Sequence, residues 1–436
     1  MTKTGTDARG GSLRRPARDE TSGWTLSFRY ISTARAGDTG LTEIRAAIRN
    51  QPKIRLKYLF REIDQRVGID AADLPLLSVS IHRGVVPRAE MTDRESRADE
   101  FSGYKRVARG DIVINRMRAF EGGAGISSYD GMVSADYAVL RTGEHLDPRF
   151  FHHLIRSRWF VGEMTARLRG IGSAELGNVR TPRINVEALG DIFVAPPPIA
   201  EQRAMADYLD AETSRIDEMI DLKGHSLKLG VESFEAHRAQ MILHGLDPVT
   251  GEGQLPDGWR SPMLGVLLEL HRGVDLPTDS RGEGNIPVVS SGGISGFHST
   301  AACEGPGVVT GRYGTVGEVF YVDGPYWPLN TTLYVSDFRR NYPKWVYHLL
   351  STMPLEIDAE KSAVTGINRN VVGRLRAVQP SYAEQQWIAE ELDQRHADVE
   401  RTVAILNRQI DLLIERRQAL ISAAVTGQIE IPGVAA

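Results

Sequence analysis

The sequence offers few side chains whose types and spacing could carry chemistry. Cys303 is the single cysteine. As a nucleophile it would need an adjacent base, and none stands near it in sequence, so a plain thiol is the favoured reading. One cysteine also excludes an internal disulfide and any multi-cysteine metal site. His152 and His153 are neighbours, which on a helix diverge by about 100° and cannot both face one metal. Tyr347 and His348 stand at the corresponding place later in the chain and favour a structural role. Glu356, Asp358 and Glu360 alternate near an expected helix end, where a solvated face is favoured over a catalytic acid pair. No Gly-x-x-x-x-Gly-Lys phosphate loop, no Gly-x-Gly-x-x-Gly turn and no Asn-Pro-Pro-Tyr-like loop occurs, so nucleotide and methyl-transfer chemistry lack their usual cradles. What remains is a pair of arginines, Arg116 and Arg312, each delivered by a strand-like run into a glycine-containing loop.

Those arginines belong to a repeat. Gly110-Asp111-Ile112-Val113-Ile114-Asn115-Arg116 lines up with Pro306-Gly307-Val308-Val309-Thr310-Gly311-Arg312 at an offset of 196. Pro148 to Ile155 lines up with Pro343 to Leu350 at 195, and Pro197, Ala200, Glu201 and Gln202 line up with Pro380, Ala383, Glu384 and Gln385 at 183. At that last offset Ile184, Asn185, Gly190 and Ile192 face Ile367, Asn368, Gly373 and Leu375. Downstream, Leu209, Asp210, Ile216 and Asp217 face Leu392, Asp393, Val399 and Glu400. Periods of roughly 20 to 50 residues would read as a solenoid or propeller. A period near 183 implies two similar modules related by pseudo-two-fold symmetry, with loop-length differences absorbing the drift in offset.

Length and composition agree. The chain has 436 residues, room for two or three domains of about 100 to 200 residues each, and the repeat selects two. Hydrophobic content of 41% and charged content of 25% are those of a globular protein. No apolar run approaches the ~18 residues of a membrane span, so the expectation is a cytoplasmic chain without a membrane partner. The net charge of -4 runs against the basic footprint of a nucleic-acid reader, but it is unevenly spread. Tyr104 to Arg183 holds thirteen Lys+Arg against eight Asp+Glu, and Gly296 to Val378 holds eight against seven.

The predicted organisation is α+β: two tandem mostly-β or mixed domains, each followed by a long helix, the two helices forming an antiparallel coiled coil. Residues 1–45 read as a flexible tail rich in Gly, Ser, Thr and Arg, without the apolar core of a secretory signal. The first module spans 46–197, the first helix and linker 198–250, the second module 251–380, and the second helix with a short tail 381–436. Strands are expected at Leu76 to Ile81, Asp111 to Asn115 and Tyr137 to Leu140, then at Ile286 to Val289, Gly307 to Thr310 and Thr332 to Val335. Pro148 and Pro343 each open a helix at its first turn.

The long helices carry the clearest periodicity. Leu392, Val399, Leu406, Leu413 and Leu420 recur every seven residues, with Val403 and Ile410 between them, which is a coiled-coil seam. The first copy runs Ile216, Ile220, Leu227, Phe234 and Met241, interrupted at Lys223, Gly230 and His237, and so is expected to be the weaker helix. About 40 residues at 1.5 Å each make a rod of about 60 Å.

The duplicated Pro-x-x-Ala-Glu-Gln openings, the heptad helices behind them and the closing Arg417-Gln418-Ala419-Leu420-Ile421-Ser422-Ala423-Ala424-Val425-Thr426-Gly427 string resemble the DNA-specificity subunit of type I restriction-modification systems, over nearly everything after residue 50. Arg238-Ala239-Gln240-Met241-Ile242-Leu243 is a poor copy of the closing string, so the two helices are not expected to be interchangeable and the first is the weaker partner. The resemblance implies a non-catalytic subunit in which each module is a target-recognition domain for one half of a bipartite, asymmetric DNA site. It implies that the helices space the domains and dock two methyltransferase subunits, joined by restriction subunits. The chain itself would hold no cofactor; S-adenosylmethionine, ATP and Mg would belong to the partners.

For such a reader, phosphate contacts set register and base-edge contacts set sequence; Arg matches guanine, and Asn or Gln matches adenine. The candidates are Lys105, Arg106, Asn115, Arg116, Arg118, Arg169, Ser173, Asn178 and Arg180 in the first module and Arg312, Tyr313, Thr315, Thr365 and Arg369 in the second. Arg116 and Arg312 are equally readable as internal salt bridges, and Asn185 and Asn368 as shared turn caps. Ile220, Leu227, Phe234, Leu392, Val399, Leu406, Leu413 and Leu420 are the helix-pair and docking candidates. Two other classes stay open: a coiled-coil scaffold without DNA specificity, and a self-contained DNA-modifying enzyme, which the missing motifs disfavour.

Overall fold

Alternation of buried β-branched residues builds the centre of each module. In the computed structural model, which describes residues 53–68, 74–80, 84–91, 101, 103–167, 183–277, 282–357, 366–432 and 434, the described residues of the first module form ten strands. These are β1 (Ile54–Arg55), β2 (Phe60–Glu62), β3 (Leu77–Ser80), β4 (Gly84–Pro87), β5 (Lys105–Val107), β6 (Ile112–Asn115), β7 (Ala124–Ile126), β8 (Gly131–Val133), β9 (Tyr137–Thr142) and β10 (Phe193–Val194). Its main sheet is antiparallel in the order β2-β9-β6-β7. Side chains alternate across a strand, so β6 sends Ile112 and Ile114 to one core with Ala138 and Leu140, and Val113 to another with Val139.

The second module repeats this plan. Its strands are β11 (Glu269–Arg272), β12 (Ile286–Ser290), β13 (Gly293–His298), β14 (Gly307–Gly311), β15 (Val319–Val322), β16 (Trp327–Pro328) and β17 (Thr332–Asp337), and the main sheet runs β11-β17-β14-β15. Thus β14, the copy of β6, is again an inner strand, with Val308 facing one core and Val309 the other.

Short helices close one face of each sheet. The first module has α1 (Pro148–Arg156), α2 (Arg158–Thr165) and α3 (Val186–Gly190). Asp147 caps α1 by accepting from the amides of Arg149 and Phe150, with Pro148 in the first turn, as the sequence predicts for that proline. After the long helix α4 (Ile199–Leu243), the second module has α5 (Leu264–Leu267), α6 (Pro343–Thr352) and α7 (Arg369–Val372), and the chain closes with the long helix α8 (Tyr382–Val425). Phe150, Phe151, Leu154 and Ile155 of α1 fill the first core, and Trp345, Val346, Leu349 and Leu350 of α6 fill the second.

The described residues divide into two compact units, but the division is not one module plus its own helix. One unit takes Leu227–Ala404; the other takes the chain through Ser226 together with the residues from Ile405 onward. Each long helix therefore contributes a segment to each unit. In the first-module unit, Asp217 meets Arg417 at 2.9 Å and Lys223 meets Gln409 at 2.6 Å, so contacts step in opposite directions along the two helices. Leu227, Phe234 and Leu392 are buried, whereas Ile220, Val399, Leu406, Leu413 and Leu420 are half-buried. Lys223, expected only to weaken the seam, reaches Gln409. In the second-module unit Phe234 stacks on His396 with ring centroids 5.2 Å apart.

Each module also receives the end of a long helix. Ile421 and Ala424 join the first core, and the Ser422 hydroxyl accepts the Arg158 amide at 3.2 Å. Ile242 and Leu243 join the second core. Arg417 and Arg238 are 8% and 7% exposed, so the two helix-end strings the sequence ranks as unequal copies hold matching buried positions. Arg417 spends its charge on Asp217, whereas Arg238 bonds Glu235 on its own helix and the Ser351 carbonyl. No described helix is long and apolar enough to cross a membrane.

Candidate DNA interface and the joints that hold it

The strand-end arginines occupy one backbone frame in both modules. The Ile184 amide donates to the Arg116 carbonyl at 3.1 Å, and the Ile367 amide to the Arg312 carbonyl at 3.0 Å. Two offsets read separately in the sequence, 196 and 183, thus meet in one hydrogen bond made twice.

Their side chains then part. Arg116 donates through Nε to the Ile184 carbonyl at 3.0 Å and through Nη2 to Asn185 at 2.7 Å. Burial, followed by the nearby Arg183 charge, lowers its pKa. It braces the returning segment, and Asn185 serves this arginine rather than capping α3. In the second module Asn368 does cap its helix, accepting the Asn370 amide at 3.0 Å. Arg312 lies with its guanidinium carbon 4.4 Å from the Tyr313 ring centroid. Tyr313 has its place because residue 366 is glycine: a Cβ there would fall 2.4 Å from the ring.

The other candidates separate by exposure. Lys105 is 4% exposed, with its ammonium 3.4 Å from Glu62 and 3.2 Å from Asp64, so its charge is spent inside the module. Asn115 shapes the turn, accepting the Met117 amide at 3.2 Å and reaching the Tyr137 hydroxyl at 3.4 Å. Arg106 and Arg118 face solvent, the latter paired with Glu121 at 2.7 Å. Tyr313 and Thr315 are half-exposed in the β14–β15 loop, and Arg369 is exposed. Arg369 borders an open cleft of about 510 Å³ that also carries His271, Arg339, Asn370 and Arg374; the sequence singled out only Arg369 there. Arg169, Ser173, Asn178, Arg180, Thr365 and the tail 1–45 lie outside the described residues.

Sequence reasoning found the Pro-x-x-Ala-Glu-Gln motif without its purpose. Gln202 accepts the Asp147 amide at 2.9 Å and donates to the Pro197 carbonyl at 2.8 Å. Gln385 accepts the Tyr342 amide at 2.8 Å and donates to the Pro380 carbonyl at 3.1 Å. Asp147 and Tyr342 are the N-cap residues of α1 and α6, so each glutamine ties the start of a long helix to the start of a module helix. Glu384 adds a capping box with Ser381.

A second joint lies two turns on. His153 Nε2 is 2.7 Å from Asp210, and His348 Nε2 is 2.9 Å from Asp393. A carboxylate only accepts, so Nε2 carries the proton. Burial, the largest influence, lowers both imidazole pKa values despite the aspartates. Arg149 and Lys344 approach the same two aspartates, at 3.4 and 2.6 Å. For Asp393, burial pushes the carboxyl up, but bonds from His348 and Lys344 outweigh it and the net shift is down. His152, by contrast, accepts the Ile126 amide at 3.1 Å; the adjacent histidines face different partners. Among the described residues no group of three His, Cys, Asp or Glu is placed to hold a metal.

No protein-family model matches the sequence, and no curated protein matches it. Solved structures do. A chain from a study of complex assembly and conformational transition of the type I R-M system matches with a TM-score of 0.64 at 17% identity, over 87% of this chain and 98% of that one. The HsdS subunit from Thermoanaerobacter tengcongensis gives 0.41 at 18% identity, over 87% and 97%. The type I restriction-modification S subunit from M. genitalium gives 0.42 at 13%, over 86% and 96%. The first of these shows a shared fold.

Proposed function

We propose that this chain is the non-catalytic DNA-specificity subunit of a type I restriction-modification complex. Each module serves as a target-recognition domain for one half of a bipartite, asymmetric site. The long helices form an antiparallel coiled coil that spaces the domains under pseudo-two-fold symmetry and docks two methyltransferase subunits, to which restriction subunits join. S-adenosylmethionine, ATP and Mg belong to those partners, and base flipping for methylation happens there.

The observation that carries this reading is a pair of modules whose frames repeat the same stitches and joints while their loops differ. The Ile184–Arg116 and Ile367–Arg312 stitches, the two glutamine joints and the two His–Asp pairs repeat. The β6–β7 loop offers Arg118 paired to Glu121, whereas the β14–β15 loop offers Arg312 stacked on Tyr313. A shared frame with unlike loops suits two readers of unlike sequences. Arg106, Arg118, Arg312, Tyr313, Thr315 and Arg369 are the exposed or half-exposed groups proposed to face the duplex. Lys105, Asn115 and Arg116 support them from within.

The alternative, a scaffold without DNA specificity, differs in salt dependence. The chain assembled with its methyltransferase should bind its site with an affinity falling linearly in log–log salt, by about 0.9 per phosphate neutralised. Partner binding without that slope, and without preference among duplexes, would support the scaffold.

A further inference from the structure

The two units share an exposed feature that neither module folding nor the reading of different half-sites accounts for. In the first module, β1 pairs with β10 so that Arg55 stands opposite Phe193, its guanidinium carbon 5.4 Å from the ring centroid. In the second, the corresponding bridge joins Met263 and Arg376. Neighbouring backbone bonds fix the correspondence: the Leu56 amide donates to the Ile192 carbonyl at 2.9 Å, and the Leu264 amide to the Leu375 carbonyl at 2.8 Å. The arginine and the apolar side chain have exchanged strands between the copies, yet each place keeps one of both.

The next turn repeats the pattern. Tyr58 is 70% exposed and Val266 is 60% exposed, each within the one-turn helix that follows its bridge. Phe193 and Met263 are themselves 46% and 45% exposed. Exposed cations stand at both patches: Arg55 and Lys57 in the first, each within ion-pair reach of Asp191 at 3.5 and 3.8 Å, and Arg376 in the second, where Arg374 takes the place of Asp191. One exposed apolar residue is ordinary. Matched ones, each beside an arginine–apolar pair conserved through an exchange of strands, mark a surface kept for a ligand.

That ligand must be alike at both places, which a base-reading surface is not. A phosphate surface would be alike, but would be built of cations and polar donors rather than Tyr, Phe, Met and Val. Large apolar side chains beside arginine are the composition of protein interface cores. We propose that each module presents here a docking knob for one copy of the same partner protein, whose matching surface is apolar. The inference rests on the proposed function, in which that partner is the methyltransferase subunit, and it places part of the docking on the modules rather than on the helices alone.

The test uses the full chain co-expressed with the methyltransferase subunit of its own system, as wild type, Tyr58→Glu, Val266→Glu and the double variant. Native mass spectrometry counts bound copies, titration gives their affinity, and fluorescence anisotropy reads DNA binding. Thermal melting, with Tyr58→Ala and Val266→Ala alongside, confirms the fold, since both side chains project into solvent. The expected result is two tightly held copies in the wild type, one in each single variant, and at least about a thirtyfold loss at both places in the double variant, the size of an interface hot spot. Two copies held at wild-type affinity by the double variant would overturn the inference. So would intact assembly with weakened DNA binding, which would make the patch a DNA contact. A wild-type chain that takes up no methyltransferase at all would overturn the proposed function along with it.

Discussion

The side-chain carbonyl of Gln385 accepts the backbone amide of Tyr342 at 2.8 Å, across 43 residues of sequence. The same glutamine donates to the Pro380 carbonyl and to Asn341, and it is 2% exposed. One side chain thereby satisfies the N-cap amide of a module helix and a carbonyl at the mouth of a long helix. Gln202 does the same in the first module at 1% exposure.

Replacing Gln385 or Gln202 with Leu should therefore leave a buried amide and a buried carbonyl without partners, at about 1–3 kcal/mol each. Thermal unfolding should show each variant less stable than wild type. A variant as stable as wild type would mean that the joint is not what fixes the module on its helix.

The paired histidines give stability a pH dependence. Burial holds His153 and His348 below the ordinary imidazole pKa, so just below about 6.5 the unfolded chain binds more protons than the folded one. Their contribution is full above that value and is lost as pH falls through it towards the folded pKa. Asp393, whose pKa is lowered, adds a loss only in the more acidic range below about 3.9. Melting temperatures should decline from pH 7 to 5, and His348→Gln should flatten that decline.

Arg116 and its neighbours should separate cleanly. Arg116→Ala removes bonds to Ile184 and Asn185 and should cost about 1.5–3 kcal/mol for a charged hydrogen-bonding group. Arg118→Ala and Arg106→Ala, at exposed positions, should change stability by no more than about 0.5 kcal/mol, yet weaken DNA binding by the assembled complex. Arg312→Ala should weaken it too, and a lost phosphate contact would lower the salt slope by about 1. Unfolding curves and binding isotherms across salt read both effects.

Along the long helices, Leu406→Glu with Leu413→Glu places charge at half-buried seam positions. The double variant should loosen the helix pair and reduce methyltransferase uptake, read by size-exclusion chromatography of the co-expressed complex. Undiminished uptake would count against the helices as a docking element.

Much of this frame was legible because local patterns and the chain's own repeat spoke together. The β-branched run Ile112-Val113-Ile114, the prolines at 148 and 343 and the seven-residue spacing from Leu392 each named their element, and β6, α1, α6 and α8 follow them. What stayed hidden were relations across long separations. Nothing in the heptads says that Ser422 bonds Arg158, or that each compact unit takes a segment of each long helix, because periodicity fixes a face and not its neighbour. In the candidate interface, residue type alone could not tell Arg116, turned in upon Asn185, from Arg118, turned outward. Lys105 shows the same limit: only the fold brings Glu62 and Asp64 to its ammonium.

The central claim is that two modules read two halves of one site independently. The most direct measurement exchanges residues 54–197 for the same module of a relative and sequences methylated sites in cells that also express the methyltransferase. The account predicts that one half of the recognised sequence changes while the other half is retained. A change in both halves, or in neither, would contradict it.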